Sequence, residues 1–418
     1  LGLVGFVDDC NGPTNTFGKH TNVHQLAQQV QENAQVWSNY LGASGGLLEL
    51  SKCSVYVLQW NFTQLGAPVL ALLNHMNRWP ITVTQTVSEE KFVLPTFSPY
   101  HAHKTLGHYK EPAGAQKEQY RQLYQKSLSC TAFLWKTPLT RPEAWLYYRT
   151  TFLPAISYPL ACSFFSRRQL DTLQTKSMSI IFARCGYNRN TKREILYGPM
   201  ELGGASFRTL FVQQGTGQVT QLLKHMRTQS QVGVLMRIAI SWFQEQVGVS
   251  FFMLENPHRP LPHLESKWFA SVRNFLHTIK AGISIYSLEV PQLQRQNDVY
   301  LMDVILEKGN FIAAEIRRLN YCRLYLGAIT LSDITTVNGT LIDPGKKQGM
   351  PSLFSSLPIQ NIIVQERPAD KEWKLWAKAQ KLWTHPDGSV ITALGPWSLP
   401  IKNIDNSISR TLPEHWHG

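Results

Sequence analysis

Apolar positions recur along this chain in two rhythms, and the change from one to the other divides it. Leu1 to Val7 is an apolar run that leads into Asp8 and Asp9 and then into Asn11-Gly12-Pro13. This reads as a buried strand delivered to a tight turn, with both carboxylates at its tip. Val23, Leu26, Ala27, Val30, Ala34, Trp37 and Leu41 then recur at helical spacing until Gly42 ends the series. Over 52–60, Cys53, Val55 and Val57 alternate with Tyr56, Leu58 and Trp60 and predict one strand. Shorter β-like pieces, 81–87 and 91–94, lie among Pro80, Pro95 and Pro99, and Lys104 to His108 centres on a Leu106-Gly107 pair suited to a hairpin tip.

From Pro112 the rhythm becomes helical. Residues 115–134 predict a helix, Thr140-Arg141-Pro142-Glu143 has the form of a capping box that starts the next, and Ser166-Arg167-Arg168-Gln169 starts a third that ends near Gly186. Further helices are expected over 207–214, 219–227, 232–247 and 264–279, forming a bundle. Beyond Gly282 the pattern is mixed, with turns expected at Asn338-Gly339, Pro344-Gly345 and Asp387-Gly388, a helix over 371–382 and a hairpin over 383–394. The expected class is α+β, in three regions: 1–110, 111–281 and 282–418.

Charge changes this picture because it is uneven. The chain carries 41 Lys+Arg against 28 Asp+Glu, a net of +13, which favours a polyanionic partner. Residues 1–100 are slightly acidic, whereas Lys104 to Glu194 holds fifteen Lys/Arg against five Asp/Glu, an excess of ten. Helices bearing Arg121, Lys126, Arg141, Arg149, Arg167, Arg168 and Lys176 suit the neutralisation of phosphates along a duplex without reading bases. The interleaved Tyr120, Tyr124, Trp135, Trp145, Tyr147 and Tyr148 are expected in the core, with stacking on bases as the alternative. Six scattered cysteines form neither a zinc-ligand pattern nor a disulfide framework, so an intracellular setting is expected. The longest apolar stretch, 152–165, is too short for a bilayer and is interrupted by Pro154 and Pro159.

Two adjacent carboxylates repel unless a cation holds them ionised, and oxygen ligands at this density suit Mg²⁺; an Asp-rich turn without metal is the plain alternative. Phe6-Val7-Asp8-Asp9 after an apolar strand resembles the F-x-D-D motif of reverse transcriptases, and the order of the elements after it is similar to non-LTR (LINE-like) retroelement enzymes. The resemblance implies a partial polymerase palm (hairpin, helix, strand) followed by a helical thumb and bundle and a small mixed α/β region. It further implies metal binding by Asp8 with Asp9 in support. Lys52, after the Gly45-Gly46 turn, would be the proton donor to pyrophosphate, and Leu106-Gly107 would be the grip on the primer. Residues 185–204 resemble the segment after the thumb.

Two Mg²⁺ (or Mn²⁺) ions, an RNA template, a DNA primer and deoxynucleoside triphosphates are the implied cofactors and partners, with no membrane. A second essential Asp of the family would precede Leu1, so the chain resembles a C-terminal fragment that does not polymerise alone. Phe6 replaces the commoner Tyr, and Pro13 is an unusual residue for a return strand. A non-catalytic RNA- or DNA-binding relic of a retroelement is the alternative. A metal-dependent nuclease ranks last for want of a second acidic cluster.

Overall fold

Ile81 and Val83 alternate with Thr82 and Thr84, lose nearly all exposure, and anchor a small core with Leu50 and Leu94. In this computed structural model the described residues are 4–6, 9–11, 23–58, 60–62, 68–70, 80–85, 89–188, 190–285, 290, 293, 295–347, 349 and 367–397. The chain divides into two units, Leu1–Thr63 with Pro68–Gln125 and Gln64–Ala67 with Lys126–Gly418. The class is α+β, with a majority of helix and small sheets.

In the first unit the helix read from Val23 to Leu41 forms as α1, Val23–Ala43. Its Ala27, Val30 and Ala34 cover the Ile81–Val83 core. Strands β1 (Val4–Phe6) and β2 (Asp9–Asn11) pair antiparallel. The strand expected over 52–60 does not form as one piece. Leu50–Lys52 is a 3₁₀ turn, β3 is only Val55–Tyr56, and β4 (Trp60–Phe62) pairs with β5 (Pro68–Leu70). Burial of Leu50 and a hydrogen bond from the Ser51 hydroxyl to the Glu49 carboxylate tighten the chain there, so alternation alone is a poor guide.

β6 (Ile81–Thr84) pairs antiparallel with β7 (Lys91–Leu94), and β8 (Thr96–Phe97) runs parallel to β3. The open edge of β6 is closed by side chains. Gln35 on α1 accepts from the Thr84 N–H at 2.8 Å and donates to its carbonyl at 2.9 Å, and Gln31 does the same for Thr82 one turn earlier.

In the second unit the capping boxes behave as read. Glu143 accepts from the Thr140 N–H at 2.8 Å at the start of α3 (Arg141–Tyr147), and Gln169 accepts from the Ser166 N–H at 2.9 Å at the start of α5 (Arg167–Arg184). The helix preceding them, α2, runs Lys117–Lys136, and α4 is Leu153–Ser157. Phe207 is buried at the meeting point of Trp145, Tyr148, Phe182 and Tyr187, whose rings lie 4.4–5.6 Å from it in tilted, edge-on arrangements. Short α6 (Arg193–Tyr197) and a 3₁₀ turn, Met200–Leu202, lead up to it.

The two helices expected over 207–227 are one, α7 (Leu210–Met226). Its glycines are there for contact rather than for a break. A Cβ on Gly215 would fall 2.1 Å from the Phe275 ring, and one on Gly217 would press on Ala161. α7 packs against α5, α8 (Gln231–Val247) and α9 (Lys267–Thr278). A single buried cluster runs from Leu222 to Leu394, so residues on both sides of position 281 share it. Two helices in the region read as mixed, α10 (Leu301–Lys308) and α11 (Ala313–Leu326), contribute Leu301, Ile305, Leu319 and Leu326 to this core.

Pro344-Gly345, read as a turn, begins the short helix α12 (Pro344–Lys347). The turns at Gly339 and Gly388 form with φ of 70° and 87°, and Thr384 bridges Val390 across the expected hairpin. The expected helix over 371–382 is α13, Asp370–Gln380. Among the described residues no helix is long and apolar enough to cross a membrane.

Candidate nucleic-acid interface

Of the two carboxylates that open the chain, Asp8 lies outside the described residues. The backbone of Asp9 lies in the second strand of the hairpin, opposite Phe6, whereas the sequence put it at the tip of the first. The second strand is described as far as Asn11, and Pro13 lies outside the described residues. Among the described residues no three His, Cys, Asp or Glu side chains gather where they could hold a metal ion.

Lys52 is exposed at the end of the 3₁₀ turn and does not open a strand. Its ammonium helps hold the nearby Glu49 carboxyl below its ordinary range, after the larger effect of the Ser51 hydroxyl.

The Leu106-Gly107 pair makes the tip of a hairpin between β9 (His103–Thr105) and β10 (His108–Lys110). Both residues have positive φ, 50° and 77°, which is the backbone of a two-residue primed turn. Leu106 carries a steric penalty there that glycine would not, and its side chain is 41% exposed. Gln119 on α2 accepts from the Tyr109 N–H at 2.7 Å and fixes the hairpin to that helix. Arg121, in the same unit, is tied to Glu118 at 2.6 Å.

In the second unit the basic side chains divide by what they already touch. Lys126 donates to the Ala155 carbonyl at 3.2 Å, Arg141 lies against Gly186, and Arg184 donates to the Trp135 carbonyl at 2.7 Å. Arg167 lies 5.3 Å from the centre of the Phe211 ring, with its side chain on the exposed face of α5. Arg149, Arg168 and Lys176 are exposed too. Of the six aromatic residues read as core, Tyr148 is buried and Tyr120, Tyr124, Trp145 and Tyr147 are half-buried, but Trp135 is 69% exposed. It lies near the end of α2 beside a shallow hollow lined by Ile180, Ala183 and Arg184 of α5.

Other charges are withdrawn from the surface, and nothing in the spacing of residues announces them. Arg323 and Arg273 are both buried and donate only to oxygens of the protein. Burial pushes the Glu245 carboxyl up to about 7 against the pull of Arg323, and pushes His263 down to about 4. These groups hold the fold and take no part in an interface. Comparison with protein-family models, with curated proteins and with solved structures finds no match to this chain.

Proposed function

We propose that this chain is part of an RNA-directed DNA polymerase, a reverse transcriptase similar to those of non-LTR retrotransposons, and that its helical second unit holds the nucleic acid. The observation that carries the reading is the set of exposed cations Arg149, Arg167, Arg168 and Lys176, on a unit in which Arg273 and Arg323 are buried and Arg184 is bonded to a carbonyl. Exposed guanidinium and ammonium groups without sequence-reading geometry suit a phosphate backbone, which rewards charge and tolerates any base order. The primed turn at Leu106-Gly107 supports a backbone contact of the kind a primer grip makes, since Gly107 adds no side chain at the tip and the hairpin is braced by Gln119.

In this reading Asp8, with Asp9, would hold Mg²⁺ or Mn²⁺, which would supply charge neutralisation at the primer hydroxyl and the departing pyrophosphate. Lys52, exposed at the end of its turn, would give that pyrophosphate a proton as the bond to the incoming deoxynucleoside triphosphate breaks. The palm assignment for the first unit rests on the order of these elements.

The test is primer extension on an RNA template by a protein that carries the reading frame upstream of Leu1. Extension is expected to require the divalent ion and to fall by at least about a thousandfold in Asp8→Ala. Extension that survives the substitution removes Asp8 from the reaction. RNA binding with no extension in either protein favours the non-catalytic reading.

A further inference from the structure

The surface of the second unit holds a cavity of about 560 Å³ between the stretch Tyr148–Leu153 and the loop from Tyr197 to Arg208. The loop is locked from within. The Ala205 and Phe207 N–H groups donate to the Ile195 and Leu196 carbonyls, and Ser206 N–H donates to the Gly198 carbonyl at 2.8 Å. Gly198 and Gly204 touch so closely that a Cβ on Gly204 would lie 2.2 Å from the Gly198 oxygen. Beneath it Phe207 is buried, and the Tyr148 hydroxyl accepts from the Arg208 N–H at 2.9 Å. The cavity walls are therefore preformed.

Three donors line this cavity with capacity to spare. Arg149 and Arg208 are exposed, and among the described residues neither guanidinium has a hydrogen-bond or ion-pair partner. Ser206 sits at φ 52°, a conformation that costs a non-glycine residue about 1 kcal/mol. That conformation brings its Oγ to the Met200 N–H, from which it accepts at 3.0 Å, so the hydroxyl proton is left for an acceptor outside the loop. Glu201 is the one carboxylate in the lining, and two guanidinium groups less one carboxylate leave the rim at +1.

We propose that this cavity is a phosphodiester-binding pocket that seats one backbone phosphate of a nucleic-acid strand. Paired guanidinium groups and a hydroxyl are donors that suit phosphate oxygens. A rim at +1 matches a monoanionic diester better than a free phosphate dianion, and Leu153, Pro199 and Met200 give the neighbouring sugar an apolar wall. The proposal rests on the nucleic-acid reading only for the source of the phosphate.

The test uses the whole chain, with arginine side chains labelled for NMR, titrated with dimethyl phosphate and in parallel with inorganic phosphate. Dimethyl phosphate is expected to move the Arg149 and Arg208 signals at lower concentration than inorganic phosphate does, and Arg149→Gln/Arg208→Gln is expected to abolish its effect on the Ser206 amide. Single-stranded RNA binding by the double variant is expected to fall about tenfold, with a salt dependence shallower by about one unit. An exposed cation outside the cavity, in Lys280→Gln, should cost less than threefold. Ser206→Gly removes the hydroxyl and the backbone strain together, and should weaken dimethyl phosphate severalfold while the melting temperature does not fall.

Signals that ignore both probes, or that respond only to inorganic phosphate, overturn the diester pocket. A double variant that binds RNA as the parent does overturns it too, and leaves the polymerase reading standing. Dimethyl phosphate binding without any RNA binding upholds the pocket and sinks that reading.

Discussion

Arg323 has no exposed surface, yet each of its guanidinium nitrogens meets an oxygen: Asn320 Oδ1 at 2.9 Å, the Ala328 carbonyl at 2.9 Å, and the Glu245 and Gln246 carbonyls at 3.0 and 2.6 Å. Those last two carbonyls belong to the end of α8, where a cation is favoured by the helix dipole. His263 Nε2 lies 2.9 Å from the Val247 carbonyl beside them. Glu245 gains nothing comparable, and its Oε2 is buried without a partner.

The Glu245 carboxyl ionises near 4.5 in the unfolded chain and near 7 in the folded one. The folded state thus holds more protons in that interval, and stability drops as pH rises through it. Glu245→Gln should raise the urea midpoint near pH 8, by a gain on the order of 2 kcal/mol, and leave it unchanged near pH 4. Equal midpoints near pH 8 would contradict the burial of this carboxylate. His263 works in the other sense, because its imidazole is kept neutral down to about pH 4, so stability is lost as pH falls from 6.5.

None of these three residues stands out in the sequence, since all but one of the partners of Arg323 are backbone carbonyls, two of them from the end of α8 far away in the chain. The cap residues Thr140 and Ser166 are legible because their partners lie three positions away.

At the scale of elements, spacing places the long helices and misses what packing decides. α1, α5, α8 and α9 lie close to where the sequence puts them, α1 by its apolar period and α5 by its Ser166 start. α10 and α11 are not evident from the pattern, although Leu301, Ile305 and Ile316, Leu319, Leu326 keep helical offsets and Gly309 and Gly327 follow the ends. Short helices closed by a glycine look like turn-rich chain when their burying partner is remote in sequence. Gly215 shows the converse error, a glycine inside a helix read as a break.

An alanine at Gly215 favours the helix intrinsically by about 1 kcal/mol, but its methyl would overlap the Phe275 ring. Overpacking wins, and Gly215→Ala should lower stability by about 1–3 kcal/mol in urea unfolding. Adding Phe275→Leu should recover part of the loss, and a stabilised Gly215→Ala would mean that α7 and α9 do not meet as described. The exposed Trp135 and the edge-closing Gln31 and Gln35 carry the same lesson, since residue type tells neither which aromatic stays outside nor which polar pair goes in.

Over the whole molecule, charge separates more sharply than secondary structure does. The first hundred residues are slightly acidic, Lys104 to Glu194 carries an excess of ten cations, and Arg149, Arg167, Arg168 and Lys176 of that stretch are exposed on the second unit. The class and the charge asymmetry are legible in the sequence, along with the Leu106-Gly107 turn. The candidate metal site is a separate matter, because Asp8 falls outside the described residues and Asp9 pairs within a strand.

The most direct measurement is the affinity of the full chain for an RNA–DNA hybrid across a series of salt concentrations, for the parent and for Arg167→Glu/Arg168→Glu. The account predicts a plot of log affinity against log salt with a steep negative slope, shallower by about two in the variant, and at least about tenfold weaker binding at physiological ionic strength. A flat plot, or a charge-reversed variant that binds as tightly as its parent, would contradict the assignment of these helices to a phosphate backbone.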